Sequence, residues 1–489
     1  MKPGNTDILQ TKTEKKGNVE KIRDEMREKA KLLQSVAYPQ YSGERKEIGK
    51  INSKNVTVCG RIMAIRGHGK LMFFDLMDFS SRLQIMLKAD LLDDEFDLIK
   101  KLDVGDIISV YGEMGETMSG QKTLFAHSFK LLTKAVRLLP EKWHGLTDTE
   151  ERYRSRYVDM LVNEKVKANL VVRAKITKFL RQYLENHDFI EVETPILQPL
   201  YGGASARPFK TFYNEMDADF YLRIADELYL KRLIVGGFEK VYEIGKDFRN
   251  EGVSRAHNPE FTQLEFYWAY KTYEDLMDFT EIMLTKLVEE VFGKSLILFD
   301  GKEYDFALPY PRKKYADLFI EYLQIDLGQS EDDLLNELKS RKLLTGDMAG
   351  FGFRDAVDNV YKKHIRPYLS GPMFVYDYPS SMLPLAKPKA ENPLLAGSFQ
   401  LLIAGMEVVK AYDELNDPFV LREKWEKEIE LTQKGAQDAQ PIDEDFLTAL
   451  EYGMAPTAGW GMGIDRITAL LTDNHHIKEV IAFPTLKPR

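Results

Sequence analysis

The chain has 489 residues, a net charge of -9 and a single cysteine, Cys59. The length predicts about three domains, the lone cysteine excludes an intramolecular disulfide framework, and no apolar run approaches the roughly 20 residues that a membrane helix needs. The N-terminal MKPGNTDILQTKTEKK lacks the apolar stretch of a secretory signal, so a soluble, cytoplasmic protein with no membrane partner is expected.

Between 18 and 33, Val19, Ile22, Met26, Ala30 and Leu33 recur at near-helical spacing among charged residues, which predicts an amphipathic helix. Tyr38 to Gly49, with Pro39 and Gly43, reads as a linker, making 1–50 an N-terminal helix and linker. The pattern then turns to alternating and β-branched segments: Val56 to Ile65, Leu71 to Leu76, Arg82 to Leu87, Asp106 to Glu113 and Thr123 to Leu131. A helix, Asp93 to Leu102, is expected between the third and fourth. Three strands, a helix and two strands is the order of an OB-fold, a small barrel that binds single-stranded oligonucleotides, here over 51–140. Arg61, Phe73 and Gln84 fall on its first three strands. An exposed ring beside a cation and an amide stacks an unpaired base and reads its edge, and either Phe73 or Phe74 is that ring. Residues 1–140 carry 24 Lys and Arg against 19 Asp and Glu, whereas the remainder carries 44 against 58. Nucleic-acid contact is therefore expected to begin in the N-terminal region.

Leu139 to Arg156, with Pro140 and the charged run ERYRSRY, reads as a connector, assigned to 141–165. Lys167 to Asn186 predicts a long helix with a stripe of Leu170, Val172, Ile176, Phe179, Leu180 and Leu184. FIEVETPIL, Phe189 to Leu197, reads as a strand, and Pro195, which cannot donate to a ladder, places it at an edge or an interface. GGASARPF, Gly202 to Phe209, has glycines that let backbone approach a ligand. Tyr221 to Ile224 predicts a short strand. Glu227 opens a helix through Val235, where a carboxylate at the first turn is electrostatically favourable in its own right.

The most informative stretch is VYEIGKDFRNEGVSRAHNPEFTQLEFYWAY, Val241 to Tyr270, which predicts two strands joined by a polar, turn-rich loop. By the strand period of two, Thr262, Leu264, Phe266 and Trp268 face one way and Phe261, Gln263, Glu265 and Tyr267 the other. The first set reads as core. The second aligns a ring, a carboxylate and a phenol, a set suited to stacking on a base and binding an ammonium. Arg249, just before the loop, adds a cation suited to phosphate.

A further helix is expected from Tyr273 to Val291, and Pro311 to Leu369 reads as a charged, largely helical insertion. Strand character returns at Phe374. Ser398 to Asn416 predicts a hairpin turning at Ala404-Gly405, which makes Gln400 and Glu407 near cross-strand neighbours. Two oxygen donors at that separation suit a Mg2+ ion bound to phosphates. Lys410, Tyr412 and Glu414 lie together on one side. GWGMGIDRITALL, Gly459 to Leu471, reads as a glycine-rich strand running into a helix, with Arg466 at the junction.

In combination these segments resemble class II lysyl-tRNA synthetases of the bacterial type, subclass IIb. FIEVETPIL resembles motif 1, FRNEGVSRAHNPEFTQLE motif 2 and GMGIDR motif 3, while GGASARPF, YLRIADELYLKRL and ELNDP resemble the lysyl enzymes in particular. The resemblance implies an α+β fold, with an antiparallel catalytic sheet flanked by helices over 166–489 (insertion at about 311–369), preceded by the OB-fold anticodon-binding barrel. It implies a homodimer and three partners: ATP, L-lysine and tRNA(Lys). Carried over position by position, Arg249 grips the α-phosphate, Glu251 and His257 contact the nucleotide, Phe261 stacks on adenine and Arg466 covers its other face. Glu265 holds the amino acid's α-amino group. Glu227, Tyr267 and Glu414 surround its side-chain ammonium, Gly203 offers backbone, and Arg61, Phe73 and Gln84 read the anticodon. The two carboxylates suit lysine, because a desolvated ammonium needs anions around it.

The chain departs from that pattern at four positions. Gln400 replaces the first Mg2+-binding carboxylate, and Lys410 replaces an asparagine near the substrate's carboxylate, where its ammonium either pairs with that carboxylate or turns away. Ser381 replaces a glutamate, and Asp413 a small polar residue. These changes leave a second reading open: a weakened synthetase paralogue acting as a tRNA-binding or regulatory protein.

Overall fold

A computed structural model describes residues 20–36, 38–92, 96–140, 146, 148–344, 352–433 and 441–489. The expected helix start at Asn18 and Val19, the first residues of the Asp93 helix, part of the 141–165 connector and 345–351 of the insertion lie outside the described residues. The chain divides into two units, Met1–Thr147 and Asp148–Arg489.

In the first unit, residues 20–32 form helix α1. A closed barrel follows, built from β1 (Asn55–His68), β2 (Leu71–Met77), β3 (Arg82–Lys88), β4 (Ile107–Glu116) and β5 (Lys122–Thr133) in the order β1-β2-β3-β5-β4. Between β3 and β4 the described residues are helical at α2 (Ala89–Leu92) and α3 (Phe96–Ile99), on either side of 93–95. Inward positions alternate along the strands, and Val58, Ile62, Phe74, Ile85, Val110 and Leu124 fill the barrel. Phe74 is thus core, and its partly exposed neighbour Phe73 is the outward ring.

The second unit opens with α4 (Thr149–Arg154) and α5 (Arg156–Val162), where a connector was expected. Their charges are engaged within the unit. The fully buried Arg156 pairs with Asp159 at 2.9 Å, and Arg152 bridges Asp159 and Glu479. Helix α6 (Glu164–Glu185) begins at an Asn163 cap, a residue type that accepts from the helix's free N–H groups. Next come β6 (Ile190–Glu191), β7 (Leu197–Gln198), β8 (Phe209–Tyr213), β9 (Ala218–Leu222), α7 (Glu227–Val235), β10 (Lys240–Phe248), β11 (Glu260–Ala269) and α8 (Tyr273–Phe292). A hairpin of β12 (Leu296–Phe299) and β13 (Lys302–Asp305) precedes β14 (Arg312–Lys314), α9 (Tyr315–Leu323), α10 (Glu331–Ser340) and α11 (Phe353–Val360). The chain ends through β15 (Met373–Tyr376), β16 (Ser398–Ile403), β17 (Met406–Asp413), α12 (Pro418–Gln433), α13 (Glu444–Glu451), β18 (Thr457–Gly463) and α14 (Ile464–Leu471).

Eight strands form one sheet in the order β14-β15-β16-β17-β18-β11-β10-β6, antiparallel except for the outermost pair at each edge. Only Ile190 and Glu191 of the expected Phe189–Leu197 strand join it, at the edge. Pro195 lies in the break before β7. The expected insertion also begins differently, since its first residues are β14 of this sheet.

One sheet face is apolar. Leu264 and Phe266 of β11, Trp460 and Met462 of β18, and Val409 and Ala411 of β17 pack against α6, α8 and α14. Fully burying an aromatic such as Phe266 contributes about 1.5–3 kcal/mol, and Phe266 also stacks on Trp460 at 4.7 Å. Helix α8 is held at both ends, by a Thr272–Asp275 capping box and by Gly293 at φ 70. Its first N–H, that of Tyr273, donates to Asp413 Oδ1 at 2.6 Å, which accounts for an acid at position 413. The opposite face is covered at one flank by α7, α12 and α13 and at the other by α9 to α11. Between the flanks it stays open, and that gap is the candidate site.

Candidate active site

The open face holds a cleft of about 490 Å3. Its floor follows from the sheet register. Across one row Glu243 pairs with Glu265, Glu265 with Gly461, Gly461 with Lys410 and Lys410 with Gln400. The neighbouring row runs Tyr267, Gly459, Tyr412. Strand β18 thus contributes glycine between two walls of side chains. A Cβ on Gly459 would stand 1.9 Å from Glu414 Oε1 and 2.6 Å from the Tyr267 ring, so a larger residue there would fill the space between the walls.

Every expected catalytic-unit residue except Gln400 lines this cleft. At one end stand Gly203, Glu227, Glu265, Tyr267, Tyr412 and Glu414. At the other stand Arg249, Glu251, His257, Phe261, Glu407 and Arg466, and Lys410 lies along the wall. The Arg249 guanidinium sits 5.1 Å from the Phe261 ring centroid, and its Nε donates to Ile224 O at 3.3 Å. Arg466 Nη1 donates to Glu407 O at 2.6 Å. His257 Nδ1 meets Ser254 Oγ at 2.8 Å, and burial with the nearby Arg466 lowers its imidazole below the usual range.

The carboxylate end contains residues that the sequence reading passed over. Lys231, four residues after Glu227 and therefore on the same helix face, is fully buried. Its ammonium donates to Glu227 Oε1 at 2.5 Å and ion-pairs with Glu414. The rings of Tyr267 and Tyr412 lie 6.0 and 5.8 Å from it, and Tyr412 Oη donates to Glu227 Oε2 at 2.9 Å. Burial opposes the Lys231 charge, but the two glutamates outweigh it and hold its ammonium above the ordinary range. Glu414 Oε1 is buried without a hydrogen-bond partner among the described residues. Beneath Glu265 lie Asp226 and Asp247, all three within 4.8 Å of one another and buried. Arg223 pairs with Glu243 at 2.7 Å and Asp247 at 3.1 Å. Asp226 and Glu265 bring two carboxyl groups together in the same buried space. Burial and then the Glu265 charge raise Asp226 well above normal, and burial raises Glu265 to about 7. The glutamate-to-lysine spacing of four in ELYLK was the available signal for Lys231. Nothing local signals Asp226. Lys362, from the insertion, also lines the cleft and pairs with Asp358.

One expectation is narrowed and one is corrected. The hairpin of β16 and β17 turns at Ala404-Gly405 with a bulge between Leu401 and Leu402, so Gln400 opposes Lys410 and Glu407 opposes Leu402, which leaves Gln400 and Glu407 diagonal neighbours on one sheet face. Gln400 Oε1 accepts from Tyr378 Oη at 2.9 Å and does not reach the cleft. Gln400 is neutral and its oxygen is engaged by Tyr378, so the pair presents one carboxylate where the expected Mg2+ site has two. On the barrel, Arg61 Nη1 donates to Gly105 O at 2.7 Å, at the far end from Phe73. The cation that joins Phe73 and Gln84 is Arg66, which opposes Phe73 across the ladder and reaches Asp75 at 2.7 Å and Gln84 Oε1 at 3.4 Å. Gln84 is nearly buried and donates to Thr123 Oγ1 at 2.9 Å. Nothing in the structure explains Ser381, which is exposed.

A barrel of this order, followed in the chain by an antiparallel sheet whose open face joins arginines without ion pairs among the described residues to a carboxylate pocket, defines a class of nucleotide-using, nucleic-acid-linked enzymes. The family model for class II tRNA synthetases (D, K and N) matches residues 148–487, and that for the OB-fold nucleic acid binding domain matches 56–132. A lysine–tRNA ligase of Carboxydothermus hydrogenoformans is 46% identical over 437 residues, covering 89% of this chain and 90% of its own. That of Thermoanaerobacter sp. (strain X514) is 41% identical over 99% of both chains, and that of Aquifex aeolicus is 44% identical over 89% of this chain and 74% of its own. The chain belongs to the class II tRNA synthetases of the D, K and N group.

Proposed function

We propose that this enzyme activates L-lysine with ATP and transfers it to the 3' end of tRNA(Lys), releasing AMP and pyrophosphate. One observation carries the assignment: two buried carboxylates, Glu227 and Glu414, already hold an alkylammonium, that of Lys231, at the closed end of a cleft whose other end presents arginines. The substrate's side-chain ammonium joins this pocket at Glu414 Oε1, where no partner stands, with the Tyr267 and Tyr412 rings around it. Its α-ammonium meets Glu265. Its carboxylate, toward Lys410, attacks the α-phosphorus in line as pyrophosphate leaves, and Arg249 and Arg466 stabilise the charge that accumulates on the phosphoryl oxygens. No general base is needed, because the attacking group is already an anion. Adenine stacks on Phe261 and is covered by Arg466, with Glu251 and His257 beside it. ATP enters as its Mg2+ complex. The terminal ribose hydroxyl of tRNA then attacks the lysyl carbonyl and displaces AMP. On the barrel, Phe73 stacks an anticodon base, with Gln84 and Arg66 alongside. The family reading also implies a homodimer working in the cytoplasm.

Pyrophosphate exchange measured with each of the twenty amino acids tests this directly. Exchange should depend on lysine alone. Exchange supported by aspartate or asparagine, or by nothing, would overturn the assignment.

The buried acids add a pH dependence. Glu265 must be ionised to take an ammonium, and its carboxyl is raised to about 7. The value of kcat/KM for lysine is therefore expected to climb as pH rises through about 7 and then level off. The same shift acts oppositely on stability. A carboxyl raised on folding favours the folded state while protonated, so that contribution is lost as pH climbs to about 7. A pH profile of kcat/KM that stays flat across this range would remove Glu265 from the ammonium-binding role.

A further inference from the structure

The wall formed by β16 and β17 disagrees in charge with the metal site implied by the family pattern. Among its polar residues are Gln400, which is neutral, Glu407 and Lys410. In the observed register Lys410 is the direct cross-strand partner of Gln400, on the same sheet face. Side chains so paired stand roughly 5 Å apart at Cβ. Gln400 is turned to Tyr378. Lys410 lines the cleft, lies 5.8 Å from the Tyr412 ring and forms no ion pair among the described residues. The wall therefore presents one carboxylate and one free ammonium, with no net negative charge to draw a divalent cation beyond what ATP carries.

We propose that the Lys410 ammonium takes the place of a protein-held divalent cation at this wall. In the row Glu265, Gly461, Lys410 the glycine places no side chain of its own between acid and ammonium, and the Gln263 amide borders the gap. An amino acid whose α-ammonium is at Glu265 thus has its carboxylate, and the α-phosphate it attacks, within reach of Lys410. A fixed ammonium there neutralises both anions without a coordination shell. The single Mg2+ ion then arrives with the nucleotide. This inference rests on the activation reaction proposed above, and its test is separable from that reading.

The test counts metal directly. Mn2+ bound to the full-length protein is measured by electron paramagnetic resonance in the presence of a non-hydrolysable ATP analogue and lysine. About one Mn2+ per active site is expected, that of the nucleotide. In parallel, raising free Mg2+ from equality with ATP to about tenfold excess should change the wild-type pyrophosphate-exchange rate by less than about twofold. The double variant Gln400→Glu/Lys410→Asn should bind about two Mn2+ per site and acquire a second saturable dependence on Mg2+. Two or more Mn2+ at each wild-type site would overturn the proposal, and because the wild-type count is decisive alone, a poorly folding variant does not leave it open. Wild-type protein that exchanges pyrophosphate with lysine yet binds two Mn2+ refutes only this inference. Loss of lysine-dependent exchange refutes the functional reading.

Discussion

Glu414→Gln is expected to lower kcat/KM for lysine in pyrophosphate exchange by roughly 30- to 3,000-fold, with the KM for ATP nearly unchanged. The range follows from the 2–5 kcal/mol typical of removing one partner from a buried, hydrogen-bonded charge pair, at 1.4 kcal/mol per tenfold. Glu414 is 1% exposed, its Oε2 pairs with Lys231, and its Oε1 faces the space that Gly459 leaves open. The substitution keeps shape and removes charge, so Lys231 is left with Glu227 alone and an incoming ammonium meets an amide. Two buried cations would then compete for one carboxylate. Steady-state kinetics at saturating ATP measures the effect, and nucleotide binding by the variant checks that the fold is intact. Lysine-dependent exchange close to the wild-type rate in this variant would sink the assignment of the ammonium pocket.

Arg249→Ala is expected to lower kcat for activation by about 10²- to 10³-fold, the usual cost of removing one donor aimed at charge that develops in a transition state. Arg249 forms no ion pair among the described residues, and its planar group is propped over Phe261 and tethered to Ile224 O. It is therefore a positioned cation whose charge is not spent within the protein. Arg249→Lys should recover only part of the loss, since a point charge lacks the two parallel donors that grip a phosphate. Rapid-quench measurement of adenylate formation separates this from an effect on lysine or ATP binding. Adenylate formed at the wild-type rate by Arg249→Ala would remove the residue from the chemical step.

The strand and helix pattern near the site was legible because its faces alternate cleanly. In Phe261 to Trp268 a period of two separates core from cleft, and the observed β11 buries Leu264 and Phe266 against α8 while Glu265 and Tyr267 line the opposite side. Helix α7 begins at Glu227 and ends at Val235 as its spacing predicts. The hairpin of β16 and β17 was legible as a hairpin with its turn, yet its register was not. A bulge adds one residue to one strand without any composition cue, and everything beyond it changes partner. The helices within the connector were not legible for a related reason: Arg152 and Arg156 in α4 and α5 find Asp159 and Glu479, the latter more than 300 residues away.

For this protein, then, local periodicity by itself determined the barrel order, the site-bearing hairpin, the helix carrying Glu227 and the chemical types that face the cleft. These depend on backbone geometry and short spacings, which are written into neighbouring residues. Only the tertiary structure decided which charges are free. It spent Arg61 on Gly105, placed Arg66 beside Phe73, set Lys231 between Glu227 and Glu414, buried Asp226 against Glu265, and left Lys410 without an ion pair among the described residues, beside a neutral Gln400. The strength and the partner of a charge depend on burial and on approach between distant segments, and neither is fixed until the sheet rows and the helices that flank them have closed around the cleft.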